Sequence, residues 1–287
     1  MFSIKHILFP MDFSERCGAI APSVASMARR FGAKITMLNV VPPYWYPAMA
    51  EMPPIIVDEE EIISGAEHEL RESFSEQFCG LSVTRRVEIG DPAEVITRYS
   101  EQSDIDLIMM PTHGYGPFRQ LLLGSVTAKV LHDSKKPVWT SAHVESPAPL
   151  VHLDVRNILC ATDATPKSEA LIRLASDFAG EVGAKIRLVH VVPASPGWPD
   201  RQLNASFEEA LIKDAREEIG KIQASLHLDI PLCVAKGDVA QAVDEIAGRF
   251  GSDLVIIGRG VMQERLGRLR TNAYAIVRKS LCPVLSF

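Results

Sequence analysis

Two short stretches carry the residue types from which a ligand site is built. The first is Pro10-Met11-Asp12-Phe13-Ser14-Glu15, directly after the apolar run Ile7-Leu8-Phe9. A carboxylate at a strand end can meet a ligand's hydroxyls or a bound cation. The plainer role for Asp12 or Ser14 is to cap the helix that follows, since short polar side chains satisfy the free N–H groups of a first turn. The second stretch runs from Met110-Pro111-Thr112-His113-Gly114-Tyr115-Gly116 to Gly124-Ser125-Val126-Thr127. A strand ends there, a glycine-containing loop follows, and Gly124-Ser125 opens a helix. Glycine lets a backbone approach a phosphate closely, and unpaired N–H groups at a helix start favour an anion. The hydroxyls of Ser125 and Thr127 would add donors. A flexible loop with a serine cap accounts for the same residues equally well, and one glycine loop is weak evidence alone. His113 has the chemistry of a general base or metal ligand, but no second His or carboxylate stands at ligand spacing, so it reads as a loop residue. Pro42-Pro43-Tyr44-Trp45-Tyr46-Pro47 would stack a base, contact a partner, or form a lid. Its counterpart Pro196-Gly197-Trp198-Pro199 favours a shared structural role.

The elements that must hold these stretches come as a repeat. FGAKITMLNVVP at 31–42 returns as VGAKIRLVHVVP at 182–193, an offset of 151 that also carries Asp12 onto Asp163. Gly90-Asp91 matches Gly237-Asp238, and Asp106-Leu107 matches Asp253-Leu254, both at an offset of 147. Pro137-Val138 matches Pro283-Val284 at 146, so small deletions account for the drift. Duplication explains this collinear series, and HVESPAPLVHLD at 143–154 reads as the linker. The expected domains are 1–144 and 152–287.

Each repeat predicts the same order: a short apolar strand, a helix ending at Gly32 or Gly183, a second strand, and a helix over 58–78 or 205–226. A third strand, a helix after the Gly-Asp pair, a fourth apolar strand, a last helix and a strand from Pro137 or Pro283 complete it. Alternating strands and helices imply parallel pairing with right-handed crossovers. The strands are continuous apolar runs, as expected where helices cover both sheet faces. The expected fold is therefore α/β: two tandem, doubly wound, open parallel five-stranded sheets. Ligands in such sheets bind beyond the carboxyl ends of the strands, where the strand order reverses.

Composition narrows the function. The chain has 287 residues, enough for two domains, with 47% hydrophobic and 23% charged residues. A formal charge of −6 argues against a nucleic-acid groove, although an acidic protein can still bind a small phosphate through backbone dipoles. No apolar run approaches the ~20 residues of a membrane span, and the first residues lack the pattern of a signal peptide. A cytoplasmic location is the expectation. Five cysteines, an odd number without CxxC spacing, predict neither a disulfide framework nor a zinc site.

Taken together, FPMDFSE after the first strand, Gly114, nine residues, then Gly124-Ser125, and the terminal Pro-Val strand resemble the universal stress protein family across both halves. The resemblance implies the adenine nucleotide alpha hydrolase-like version of the fold. It also implies ATP held by the first-strand turn, the backbone after the second strand and the glycine loop, with Mg²⁺ accompanying the phosphates. By position, Pro10, Asp12 and Val40 would frame adenosine, and Gly114, Gly124, Ser125, Val126 and Thr127 would face the phosphates. The chain departs from the family motif at Pro111, which stands where its first glycine is expected. Proline has no N–H and a fixed φ, which predicts weakened or abolished binding. The second half keeps Gly258 but has Val261 at the next glycine and Thr271-Asn272 or Arg270-Thr271 at the Gly-Ser pair. It is expected to be degenerate, with Asp163, Val191 and Gly258 as remnants of a site.

Three functions compete. The first is a stress-response protein binding ATP through its N-terminal half, with hydrolysis slow or absent and regulation through ordering of the loop around 111–124 against an unknown protein partner. The second is a scaffold with both sites silent. In this family the last strand commonly pairs across an interface, so the resemblance also implies an intrachain pseudo-dimer and a further homodimer. The third is an adenylating or ATP-pyrophosphatase-like enzyme, disfavoured because neither PMDFSER nor ATDATPK is glycine-rich.

Overall fold

In the computed structural model the described residues are 3–43, 59–113, 123–142, 155–193, 201–259 and 272–287. They form two compact units, one built on the first repeat and one on the second. The first contains β1 (His6–Met11), α1 (Glu15–Phe31), β2 (Lys34–Val41), α2 (Glu59–Glu72), β3 (Val83–Ile89), α3 (Pro92–Gln102), β4 (Leu107–Met110), α4 (Ser125–Asp133) and β5 (Val138–Thr140). The second contains β6 (Asn157–Ala161), α5 (Ser168–Val182), β7 (Lys185–Val192), α6 (Arg201–Leu226), β8 (Leu232–Lys236), α7 (Val239–Phe250), β9 (Leu254–Ile257), α8 (Asn272–Lys279) and β10 (Val284–Ser286).

Within the first unit the strand order is β3-β2-β1-β4-β5, and within the second β8-β7-β6-β9-β10, all pairs parallel. This is the doubly wound α/β fold with helices on both faces. All six residues of β1 and all four of β4 and β9 are buried, as a sheet covered on both sides requires. The order turns back between β1 and β4, and between β6 and β9. Those are the places where a crevice can open.

Local chemistry sets the element ends. Ser14 caps α1, its Oγ accepting the Cys17 N–H, and Gly32 closes it in the left-handed region at φ 64°. The helix turns Ile20, Ala21, Val24, Ala25 and Ala28 onto the sheet, a spacing of three and four that makes one apolar face. The expected helix over 58–78 stops earlier, at Glu72. The hydroxyls of Ser73 and Ser75 take the carbonyls of Glu69 and Arg71, and Phe74 turns to φ 58°. Side chains bonding backbone in this way compete with helix. The gain is aromatic: Phe74 and Phe78 come to 6.0 and 6.1 Å from the Phe9 ring. α5 starts at Ser168, after Ala164 at φ 57° bends the chain around Asp163.

The matched pairs of the repeat mark matched devices. One oxygen of Asp106 accepts the N–H groups of Lys5 and His6 at 2.7 and 3.0 Å, and Asp253 does the same for Arg156 and Asn157 at 2.8 and 2.9 Å. Each pins the start of its unit's first strand to the chain entering the fourth. Asp91 caps α3 through the Glu94 N–H, and Asp238 caps α7 through the Gln241 N–H. The preceding Gly90 and Gly237 sit at φ 151° and 117°.

Candidate functional site

In the first unit the crevice is open. β1 runs alongside β2 as far as Met11, but its pairing with β4 covers only Ile7 and Leu8. Pro10 has no N–H to extend that ladder. In the second unit Ala161 stands where Pro10 does, and β6 stays paired with β9 through Ala161. Beyond the parting strands of the first unit lies a cavity of about 910 Å³. That is at the upper end of the usual range for small-molecule sites.

Most of the positions singled out from the sequence meet there. Pro10, Asp12, Val40, Gly124, Ser125, Val126 and Thr127 all line this one cavity. They come from three segments that the strand order brings together: the end of β1, the end of β2 and the start of α4. Gly114 lies outside the described residues, as do the aromatic loop at 44–47 and the stretch containing Val261 and Thr271. His113 is buried and also lines the cavity, and among the described residues no cluster of metal-ligating side chains is present.

Three helices add residues that the sequence motifs do not single out. Ile62, Ala66 and Glu69 of α2 form one wall, Pro92 and Ile96 of α3 another, and Cys17 of α1 adds to the lining. For Cys17 the sequence does hold a signal. It lies five residues after Asp12, and the same offset in the second half gives Ser168 after Asp163.

That pair shows what the carboxylates do. Asp12 Oδ1 accepts the Ser14 N–H at 3.0 Å and the Cys17 thiol at 3.1 Å. Asp163 Oδ1 accepts the Thr165 N–H at 3.1 Å, the Thr165 hydroxyl at 2.8 Å and the Ser168 hydroxyl at 2.5 Å. Burial pushes the Cys17 thiol up to about 12, with the Asp12 charge acting in the same direction. Burial would also raise the Asp163 carboxyl, but the hydrogen bonds from Ser168 and Thr165 outweigh it and hold that group below its ordinary value. One oxygen of each carboxylate is therefore spent on its turn.

Asn39 Nδ2 donates to the Met11 carbonyl at 2.9 Å, and His190 Nδ1 meets the Thr162 carbonyl at 2.8 Å. Each locks the end of the second strand to the end of the first. In the first unit this fixes Val40 beside Asp12 at the cavity.

The start of α4 differs from the capped starts of α1, α3 and α7. Its N-cap is Gly124, which offers no side-chain acceptor, and the Gly124 N–H is taken by the Thr112 carbonyl at 2.9 Å. The first-turn N–H groups of α4 therefore have no side-chain cap and open at the cavity, where the helix dipole adds positive character. Among the described lining residues there are two carboxylates, Asp12 and Glu69, and no Lys or Arg. Backbone donors are thus the anion-attracting feature of the described lining. The second unit has Arg259 at the end of β9, its guanidinium pushed down to about 10 by burial.

Comparison with known proteins agrees with this architecture. The model of the universal stress protein family matches residues 3–141 and again 154–287. Universal stress protein MJ0577 of Methanocaldococcus jannaschii is 26% identical over 165 residues, spanning 47% of this chain and 92% of that protein. A universal stress protein of Mycolicibacterium smegmatis is 25% identical over 209 residues, or 68% of this chain and 69% of its own. A solved universal stress protein from Archaeoglobus fulgidus shares the fold at a TM-score of 0.68 and 19% identity, covering 99% of this chain and 96% of that one. With the family's model matched once by each repeat, and with the doubly wound sheet that the repeats build, the chain belongs to the universal stress protein family as a tandem two-domain member.

Proposed function

We propose that the N-terminal unit binds an adenine nucleotide, ATP with Mg²⁺, and that the chain works as a nucleotide-responsive regulatory module in the cytoplasm. The observation that carries this reading is the uncapped start of α4 opening into the cavity at the parting of β1 and β4. A helix start of this kind binds phosphate. The cavity's apolar walls, Leu38, Ile62, Ile96 and Met110, suit a purine ring.

The residues present fit such a ligand. Asp12 would take the ribose hydroxyls and the backbone at Val40 would meet the base. The N–H groups of Ser125, Val126 and Thr127 would hold the phosphates. Mg²⁺ would neutralise phosphate charge beside Asp12 and Glu69, where the described lining supplies no cationic side chain. The described lining also has no pairing of a base with a cationic clamp for phosphoryl transfer, so binding rather than turnover is the proposed activity. Binding at the start of α4 would act by changing the surface offered to a protein partner.

Calorimetric titration of nucleotide-stripped protein with Mg-ATP tests this, beside Gly124→Arg, which fills the approach to α4. Saturable binding by the wild type that the variant loses is the expected result. No binding by the wild type would overturn the proposal and leave the scaffold reading, with both sites silent.

A further inference from the structure

The loop that carries the phosphate motif is closed at its base by two hydrogen bonds. The Gly124 N–H donates to the Thr112 carbonyl at 2.9 Å, and the Thr127 hydroxyl donates to the Pro111 carbonyl at 3.0 Å. The incoming end is held a second time, since the Thr112 N–H donates to Ser141 Oγ at 3.3 Å. Thr127 and Thr112 are 4% and 2% exposed, so these bonds lie beyond the competition of bulk water. Thr127 is therefore not free to give its hydroxyl to a ligand. Its hydroxyl is spent on the backbone of Pro111.

At the register of the Pro-Val strand, the second unit has no hydroxyl with which to make this tie. Gly258 stands at the position of Pro111 by the offset of 147, and Ala273 at the position of Thr127 by the offset of 146. Ala273 has no hydroxyl. The other repeated devices persist in both units, including the strand-pinning Asp106 and Asp253 and the helix-capping Asp91 and Asp238. The bond between Thr127 and Pro111 belongs to the unit whose strands part to open the cavity.

We propose that Thr127 is a positioning residue for the phosphate end of the site, acting through the carbonyl of Pro111 to fix the first turn of α4 at the cavity rim. This rests on the nucleotide reading above. It changes the meaning of Pro111: the site uses the proline's carbonyl, not the N–H it lacks, and the ring's fixed φ removes one of the two backbone rotations that place that acceptor. A first turn already in place does not need to be ordered when the ligand arrives, which is where preorganisation gains affinity.

The test compares Thr127→Val, nearly isosteric but without the donor, with Thr127→Ser, which keeps it. Thr127→Ala serves if valine disturbs folding. Titrations with Mg-ATP and with adenosine separate the phosphate end from the rest of the site. Thr127→Val should weaken Mg-ATP about tenfold, the scale of one buried hydrogen bond, and leave adenosine within about twofold, while Thr127→Ser should recover most of the Mg-ATP affinity. Unchanged Mg-ATP affinity, or an equal loss for adenosine, would overturn the assignment. Amide exchange over 123–128 in ligand-free protein provides a readout that needs no nucleotide. It should be faster in Thr127→Val and restored in Thr127→Ser. If the wild type binds no nucleotide, the functional proposal fails, and this exchange still decides whether the clasp orders α4. Equal exchange in all three proteins would sink it.

Discussion

His6 shows how a single side chain makes stability depend on pH. It is buried at the start of β1, with Nε2 2.8 Å from Thr36 Oγ1 on β2. Burial, and secondarily the charge of Lys34, lower its pKa, while the Ser103 carbonyl and the charges of Asp106 and Asp104 oppose the shift. A histidine with a depressed pKa in the folded state is neutral there and gains its proton more readily in the unfolded chain. Its contribution is therefore present above its ordinary value of ~6.5 and is lost as pH falls below it. Urea unfolding of the wild type should show stability falling from pH 7.5 to 5.5, and His6→Gln should flatten that slope. An unchanged slope in the variant would assign the dependence to other groups. The same scale explains Asp12 and Asp163. For Asp12 the sequence already makes the local cap the plainer role, and the N–H two residues on supplies it; that the Cys17 thiol and the Ser168 hydroxyl, five residues on, reach the same oxygens is decided by the bent backbone.

Among the described elements, the join between β3 and α3 is a tightly constrained turn. Gly90 sits at φ 151°, and a Cβ there would come within 2.8 Å of Val95 Cγ2. Its repeat counterpart Gly237 is at φ 117°, and a Cβ there would meet nothing within 4 Å. Gly90→Ala should therefore cost about 1–3 kcal/mol through conformational strain and overpacking. Gly237→Ala should cost less, since it meets the backbone penalty alone. Chemical denaturation of the two variants checks the ranking, and equal costs would mean that Val95 moves aside freely. The Gly-Asp pairs are visible in the sequence as matches between the halves. The clash is not, since it depends on how the first turn of α3 folds back over the glycine. The early end of α2 has the same origin: the apolar pattern continues to Phe78, but two rings reach Phe9 only if the helix stops.

For the whole molecule, the two units carry the same fold but different crevices. β1 leaves β4 after Leu8, whereas β6 follows β9 to Ala161. Saturating Mg-ATP should therefore slow amide exchange within residues 3–141, chiefly at the ends of β1 and β2 and the start of α4, and leave 155–287 unchanged. Protection appearing equally in both units would show that the second crevice also accepts nucleotide. Ligand at a hundred times its Kd adds about 2.7 kcal/mol to the unit that binds it, enough to be read in this experiment.

The sequence by itself determined the duplication, the order of strands and helices, the parallel α/β class and the strand-end and α4 segments that meet at the cavity. These are legible because hydrophobic period, glycine and proline act locally or repeat at a fixed offset. The tertiary structure alone decided which side chains are spent and which backbone groups are left open. Thr127 reads as a phosphate-facing hydroxyl in sequence, yet it is buried against Pro111. Pro111 reads as a lost donor, yet its carbonyl anchors the helix. No motif in the sequence singles out Ile62 and Ala66 of α2, yet they wall the cavity. Each of these outcomes depends on distances between segments far apart in the chain, which follow from how the parallel crossovers pack and which no local pattern encodes.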